Sequence, residues 1–278
     1  MGSSAARASH HIRVILVLIA IFLVWETWPF LKDVGLFRLF QDPDWAPTLL
    51  EFNLFPMIIG SFAVTLGALL IAIPFGVSSA IFCQYYAPVW LSNLYRRMLE
   101  LLAGIPSVVY GFWGLVVIVP LIARVHLPGP SILAGSFIVA LMILPTIALI
   151  AENSFMQLPS SYWRSAQAMG LGRWSTISKM CLPAAQSGII TAIILGFGRA
   201  IGETMAVVMV CGNAVQVPNS IFDPVRTLTA NIALEMAYAM DFHRSALFVS
   251  GLFLIAIVTL SISLLPKNNE TAYPRSLL

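Results

Sequence analysis

Long apolar runs alternate with short polar connections along most of the chain. A helix that crosses a membrane needs roughly 20 mostly apolar residues. Six stretches supply them, at about residues 12–30, 57–83, 98–122, 131–151, 185–212 and 246–265. In the first, Arg7 and Arg13 stand before its most apolar part, and Trp25, Glu26, Thr27, Trp28 and Pro29 rather than small residues come at its end. It is therefore expected to be an uncleaved span with aromatic residues at the membrane boundary. Pro74, Pro106 and Pro145 fall inside the second, third and fourth runs. Each removes a backbone donor and is expected to kink its helix.

Basic residues orient such a chain, because Lys and Arg are retained on the cytoplasmic side. With the N-terminus inside, the inner segments hold nine, including Arg96, Arg97, Arg164, Arg173, Lys179 and Lys267, and the outer segments hold five. An even number of spans then puts both termini in the cytoplasm. The expected organisation is an N-terminal part (1–56) with a tail, the first span and an outer segment; a five-span core (57–265); and an inner tail (266–278). The predicted fold class is an all-α polytopic membrane protein with six transmembrane helices.

Composition agrees and narrows the chemistry. Of 278 residues, 59% are hydrophobic and 10% charged, against about a quarter charged in an ordinary soluble domain. Mean hydropathy is +0.90. A net charge of +3 is too small for a nucleic-acid partner, whereas membrane lipid is an obligatory one. Cys83, Cys181 and Cys211 are widely spaced with no CxxC, and read as small apolar fillers rather than disulfides or metal ligands. The three lysines, at 32, 179 and 267, never follow a glycine, so there is no phosphate-cradling Gly-Lys-Ser/Thr loop. HExxH and GxSxG are absent too. The chain is expected to be no enzyme and to bind no cofactor or metal of its own.

Two segments carry candidate function. The first is the inner connection at about 152–184. The run from Leu158 to Gly170 starts like a helix, with Pro159 before it and Ser160 or Ser161 able to cap it. Gly170 and Gly172 can stop it by taking a left-handed conformation. Residues 174–180 can form a second short helix, and Pro183 can open the fifth span. A helix–turn–helix on the inner face is a natural knob for another protein. The second segment is Gly196-Phe-Gly-Arg-Ala-Ile-Gly-Glu-Thr-Met-Ala-Val. It puts Arg199 in mid-span, where a charge is costly and usually functional. On a continuous helix Glu203, four residues on, can pair with it. A guanidinium presents a planar fork suited to phosphate or sulfate oxygens, Thr204 adds a hydroxyl, and the glycines allow close helix approach.

The inner connection resembles the coupling loop of ABC importer permeases, E-A-A-x3-G-x9-I-x-L-P. Gly170 takes the glycine, Met180 the isoleucine position and Leu182-Pro183 the closing pair; Arg164, Ser165 and Ala166 stand at the first three positions, so Arg replaces Glu and Ser replaces Ala. The run around Arg199 resembles the signature of phosphate-specific ABC permeases. So does Glu100-Leu-Leu-Ala-Gly-Ile-Pro-Ser-Val-Val-Tyr-Gly-Phe-Trp-Gly114. Together with Gly212-Asn213 these look like the PstC-type subunit from about residue 57 onward. The resemblance implies a type I ABC importer permease fold and a phosphate pathway that includes Arg199, Glu203 and Thr204. It also implies a PstA-type permease partner, a PstB-type ATPase dimer that uses ATP and Mg, and a periplasmic PstS-type phosphate-binding protein. The residues by themselves leave open an anion channel or secondary carrier working without an ATPase, and a membrane scaffold without transport.

Overall fold

The computed structural model describes the backbone of residues 2–265, with side chains from Val14 onward apart from Leu16. The expected inner tail over 266–278, with Lys267 and Arg275, lies outside the described residues, as do the side chains of Arg7 and Arg13. Apart from a strand pair of two residues each (β1, Trp45–Ala46; β2, Glu51–Phe52), the regular structure is helical.

The first apolar run becomes α1 (Gly2–Asp33). Three helices among the described residues are long and apolar enough to cross a membrane: α2 (Phe55–Tyr86), α5 (Ile132–Met156) and α11 (Asp241–Ser263). Two more candidates are bent pairs. Helix α3 (Val89–Gly104) meets α4 (Ser107–Ala123) at 90°, and α7 (Arg173–Ala184) meets α8 (Gln186–Ile201) at 69°. Between α5 and α7 lies α6 (Ser160–Ala168); α9 (Met205–Val210) and α10 (Leu228–Glu235) follow α8. The described residues thus hold three such helices, or up to five if each bent pair is one span.

The third apolar run is therefore not one straight helix from 98 to 122. Its first residues belong to α3, and the chain turns at Ile105, which is extended at φ −67°, ψ 129°. Pro106 causes this, because its ring disfavours the helical conformation for the residue before it. Pro74 and Pro145, by contrast, stay inside continuous helices, as happens where packing and local adjustment compensate for the lost bond. The fifth run is also broken: helix stops at Ile201 and resumes at Met205.

The chain folds into two compact units interleaved along the sequence. The first comprises Met1–Val64, Gly111–Gly135 and Ile201–Val258. Its core joins Phe30, Trp45, Phe52, Met57, Leu228 and Leu247, so the segment 31–56 is packed structure rather than a loose loop. Thr227 caps α10 by accepting from the Ala230 amide. That helix is buried at Leu228, Ala230 and Asn231.

The second unit comprises Thr65–Tyr110, Ser136–Ala200 and, among the described residues, 259–265. Within it, fully buried Ile147 of α5 packs between Gly76 of α2 and Gly196 of α8. A Cβ on Gly196 would stand 3.0 Å from Ile147 carbons, so the close approach expected of this glycine is realised. The three cysteines are free and buried.

Candidate functional site

The connection at 152–184 has the expected helix–turn–helix form, with differences in detail. Helix α6 begins at Ser160 with Pro159 at its N-cap and no side-chain cap. A proline at that position sets the extended entry on its own, so neither Ser160 nor Ser161 is needed as a cap. At the other end Gly170 is left-handed, φ +70°. Its amide donates to Gln167 O at 3.0 Å, and the Leu171 amide to Ala166 O at 3.0 Å. This pair of bonds is the glycine-terminated helix end called a Schellman motif. Gly172 is extended (φ −68°, ψ 160°) and starts the next helix rather than stopping the first.

Helix α7 then runs through Met180 and Leu182 to Ala184, so Pro183 sits at the end of this helix, just before the bend at Ala185. Arg164 and Ser165 are exposed while Ala166 is fully buried, which is why the third position of the motif must be small. The tip presents Tyr162, Met169 and Trp174 to the outside, Met169 and Trp174 more than 60% exposed. The base is held firmly: Trp163 stacks on Tyr85 at 5.6 Å and 10°, and Tyr85 meets Phe155 edge-on at 5.7 Å.

The break at 202–204 changes the reading of the charged run. Because α8 ends at Ile201, the turn of helix that would carry Glu203 up the face of Arg199 is missing. Each residue has a different partner. Arg199 is exposed and donates from Nη1 to Thr146 Oγ1 at 3.3 Å. Glu203 Oε1 accepts from the Ala206 amide at 3.3 Å, and its backbone carbonyl accepts from Thr229 Oγ1 at 2.8 Å. Thr204 Oγ1 donates to Gly202 O at 3.2 Å. Neither charge belongs to an ion pair among the described residues. The guanidinium therefore keeps most of its donors free, on a helix end fixed by close packing at Gly196.

Tertiary folding also makes two charged clusters that sequence spacing did not reveal. Arg96 of α3 grips Glu152 of α5 with two bonds, Nη2 to Oε1 at 2.7 Å and Nε to Oε2 at 3.3 Å, and the Glu152 side chain is 3% exposed. Glu235 of α10 accepts from Arg226 Nη1 at 2.6 Å and Trp45 Nε1 at 2.8 Å, and its Oε2 is 2.8 Å from His243 Nε2. No acid–histidine pairing was legible in the sequence, since eight residues and a helix start separate Glu235 from His243. Removing one partner of such a buried charged group costs about 3–5 kcal/mol, so the Glu235 cluster pins β1 to α10 and α11. Among the described residues no group of three His, Cys, Asp or Glu is placed to hold a metal ion.

The family model described as "Binding-protein-dependent transport system inner membrane component" matches residues 72–270. The chain belongs to this family. This permease component is 42% identical over 228 residues to the "Probable ABC transporter permease protein YqgH" of Bacillus subtilis (strain 168), covering 80% of this chain and 74% of the relative. It is 35% identical over 275 residues to the "Phosphate transport system permease protein PstC" of Pasteurella multocida (strain Pm70), covering 90% and 86%.

Among solved structures, it resembles a chain of a bacterial alginate ABC transporter in complex with a pentasaccharide-bound periplasmic protein. The TM-score is 0.63 at 15% identity, over 93% of this chain and 91% of that one. An inward-facing MetNI methionine ABC transporter chain gives 0.57 at 16% identity, over 84% and 97%. The fold is thus that of type I ABC importer permeases. The component is a multi-pass inner-membrane protein and a transport subunit, not itself an enzyme.

Proposed function

We propose that this permease component is the PstC-type subunit of an ATP-driven phosphate importer. It forms the pathway with a PstA-type permease and couples it to a PstB-type ATPase dimer that uses ATP and Mg. The observation that carries the reading is its likeness over 275 residues to a chain named as a phosphate transport permease. Two features support it. Arg199 offers unpaired donors on an exposed helix end, suited to a phosphate oxyanion, with Thr146 holding the guanidinium, and Glu203 and Thr204 following in the helix break. The exposed tip of α6–α7, carrying Arg164, Ser165, Gly170 and Trp174, fits a dock for an ATPase, with Met180, Leu182 and Pro183 closing the loop. A channel working alone has no use for such a tip.

The outer segments 31–56 and 213–245 are where a periplasmic PstS-type protein would deliver phosphate. Orientation follows the basic residues, with both termini inside. A periplasm-active reporter fused after Asn219 is expected to be active, and silence there would reverse the orientation. The function itself is tested by co-purification from native membrane and labelled-phosphate uptake in a deletion strain. The chain should bring down a second permease and an ATPase, and should restore uptake that excess sulfate does not compete away. Uptake restored without any ATPase would establish the carrier instead.

A further inference from the structure

We infer that the Arg96–Glu152 ion pair links the coupling loop mechanically to the α3–α4 bend, making both residues positioning residues for transport. This rests on the reading of α6–α7 as the ATPase dock. Glu152 lies one turn before the end of α5, and the chain from that end enters α6 directly. Its carboxylate is almost completely buried, and the two bonds from Arg96 fix orientation as well as distance.

A buried ion pair contributes little net stability compared with an apolar pair of the same volume. Its strength is that the two groups cannot slide past or separate cheaply. On the loop side, the same end of α5 is locked by the contacts of Phe155 and Trp163 with Tyr85. On the other side, Arg96 sits in α3 between Tyr95, whose hydroxyl is 2.9 Å from Ser79 Oγ, and buried Leu99. The end of α3 is tied across the Pro106 bend, because Tyr110 donates to Leu102 O at 3.0 Å.

A tilt of α6 is thus carried by α5 through one charged clamp into the helix that sets Tyr110, instead of dissipating at the membrane surface. The two functions must be measured together.

The test uses the complete importer in proteoliposomes, with ATP hydrolysis and labelled-phosphate uptake measured on the same vesicles. The double variant Arg96→Gln, Glu152→Gln removes both charges and leaves no orphan. It should keep hydrolysis within about twofold of normal, while phosphate moved per ATP falls about tenfold or more. Arg96→Lys keeps the charge but loses the fork and should lower the same ratio about threefold. Because it disturbs folding least, it decides the matter if the double variant does not assemble. An unchanged ratio, with uptake and hydrolysis falling only in proportion to complex lost, overturns the inference. Gly170→Val measured in parallel separates the two readings. If that variant keeps its ATPase and its uptake, the docking role of the loop fails, whatever the ratio at 96 and 152.

Discussion

Arg199→Gln is expected to lower phosphate uptake by about tenfold to a hundredfold, the range set by losing one charge-assisted contact of about 1.5–3 kcal/mol. Assembly and thermal stability should stay near normal. The guanidinium is exposed, its hydrogen bond among the described residues is to Thr146, and such surface changes fall within about 0.5 kcal/mol. The single substitution is informative because Glu203 takes its bond from the Ala206 amide, so no carboxylate is orphaned by it. Arg199→Lys should be intermediate, retaining charge without the planar fork. Glu203→Gln keeps an oxygen for Ala206 and should assemble normally. The double variant Arg199→Gln, Glu203→Gln should remain as inactive as Arg199→Gln. Near-normal uptake by that assembled double variant would remove Arg199 from the pathway.

A second large effect is expected at Gly170. A valine there must hold φ near +70°, a conformation costing an L residue about 1–2 kcal/mol, and more when β-branched. The cost is conformational and not steric, since nothing lies within 4 Å of where its Cβ would be. The Schellman end would unwind, and the tip with Met169 and Trp174 would lose its fixed angle. Gly170→Val should therefore insert in the membrane normally but lose ATPase association and uptake. Gly170→Asn should be milder, because asparagine tolerates the left-handed region. Gly172→Ala is the control. That glycine is extended with open space around it and should behave as wild type. Complex recovered in full from Gly170→Val, measured by pull-down of the ATPase, would reduce the loop to a connector.

Much of this architecture is written locally. Apolar runs of spanning length specify helices because a backbone in lipid has no partner other than itself. The left-handed turn was legible at Gly170, since glycine closes a helix end and the segments on either side had helical composition. Ala166 at the third motif position came from resemblance alone, and the structure supplies the reason: the side chain is fully buried. The break at Pro106 was present in the sequence as a rule about the residue before proline, although it acts as a 90° bend rather than the expected kink.

Other features belong to the tertiary structure alone. Spacing made Arg199 and Glu203 partners, on the assumption of a helix continuous through Gly202. The helix stops instead, and the partners become Thr146, which is 53 residues away, and a backbone amide. The Arg96–Glu152 clamp spans 56 residues and the Trp45–Glu235 bond 190, and no periodicity within one element encodes such pairings. A sequence determines which segments are helical and where they must end, because those are contests between a residue and its near neighbours. Which charges meet is decided only when the helices pack, because a buried charge takes whatever partner the packing brings within reach, and its cost without one removes the alternatives.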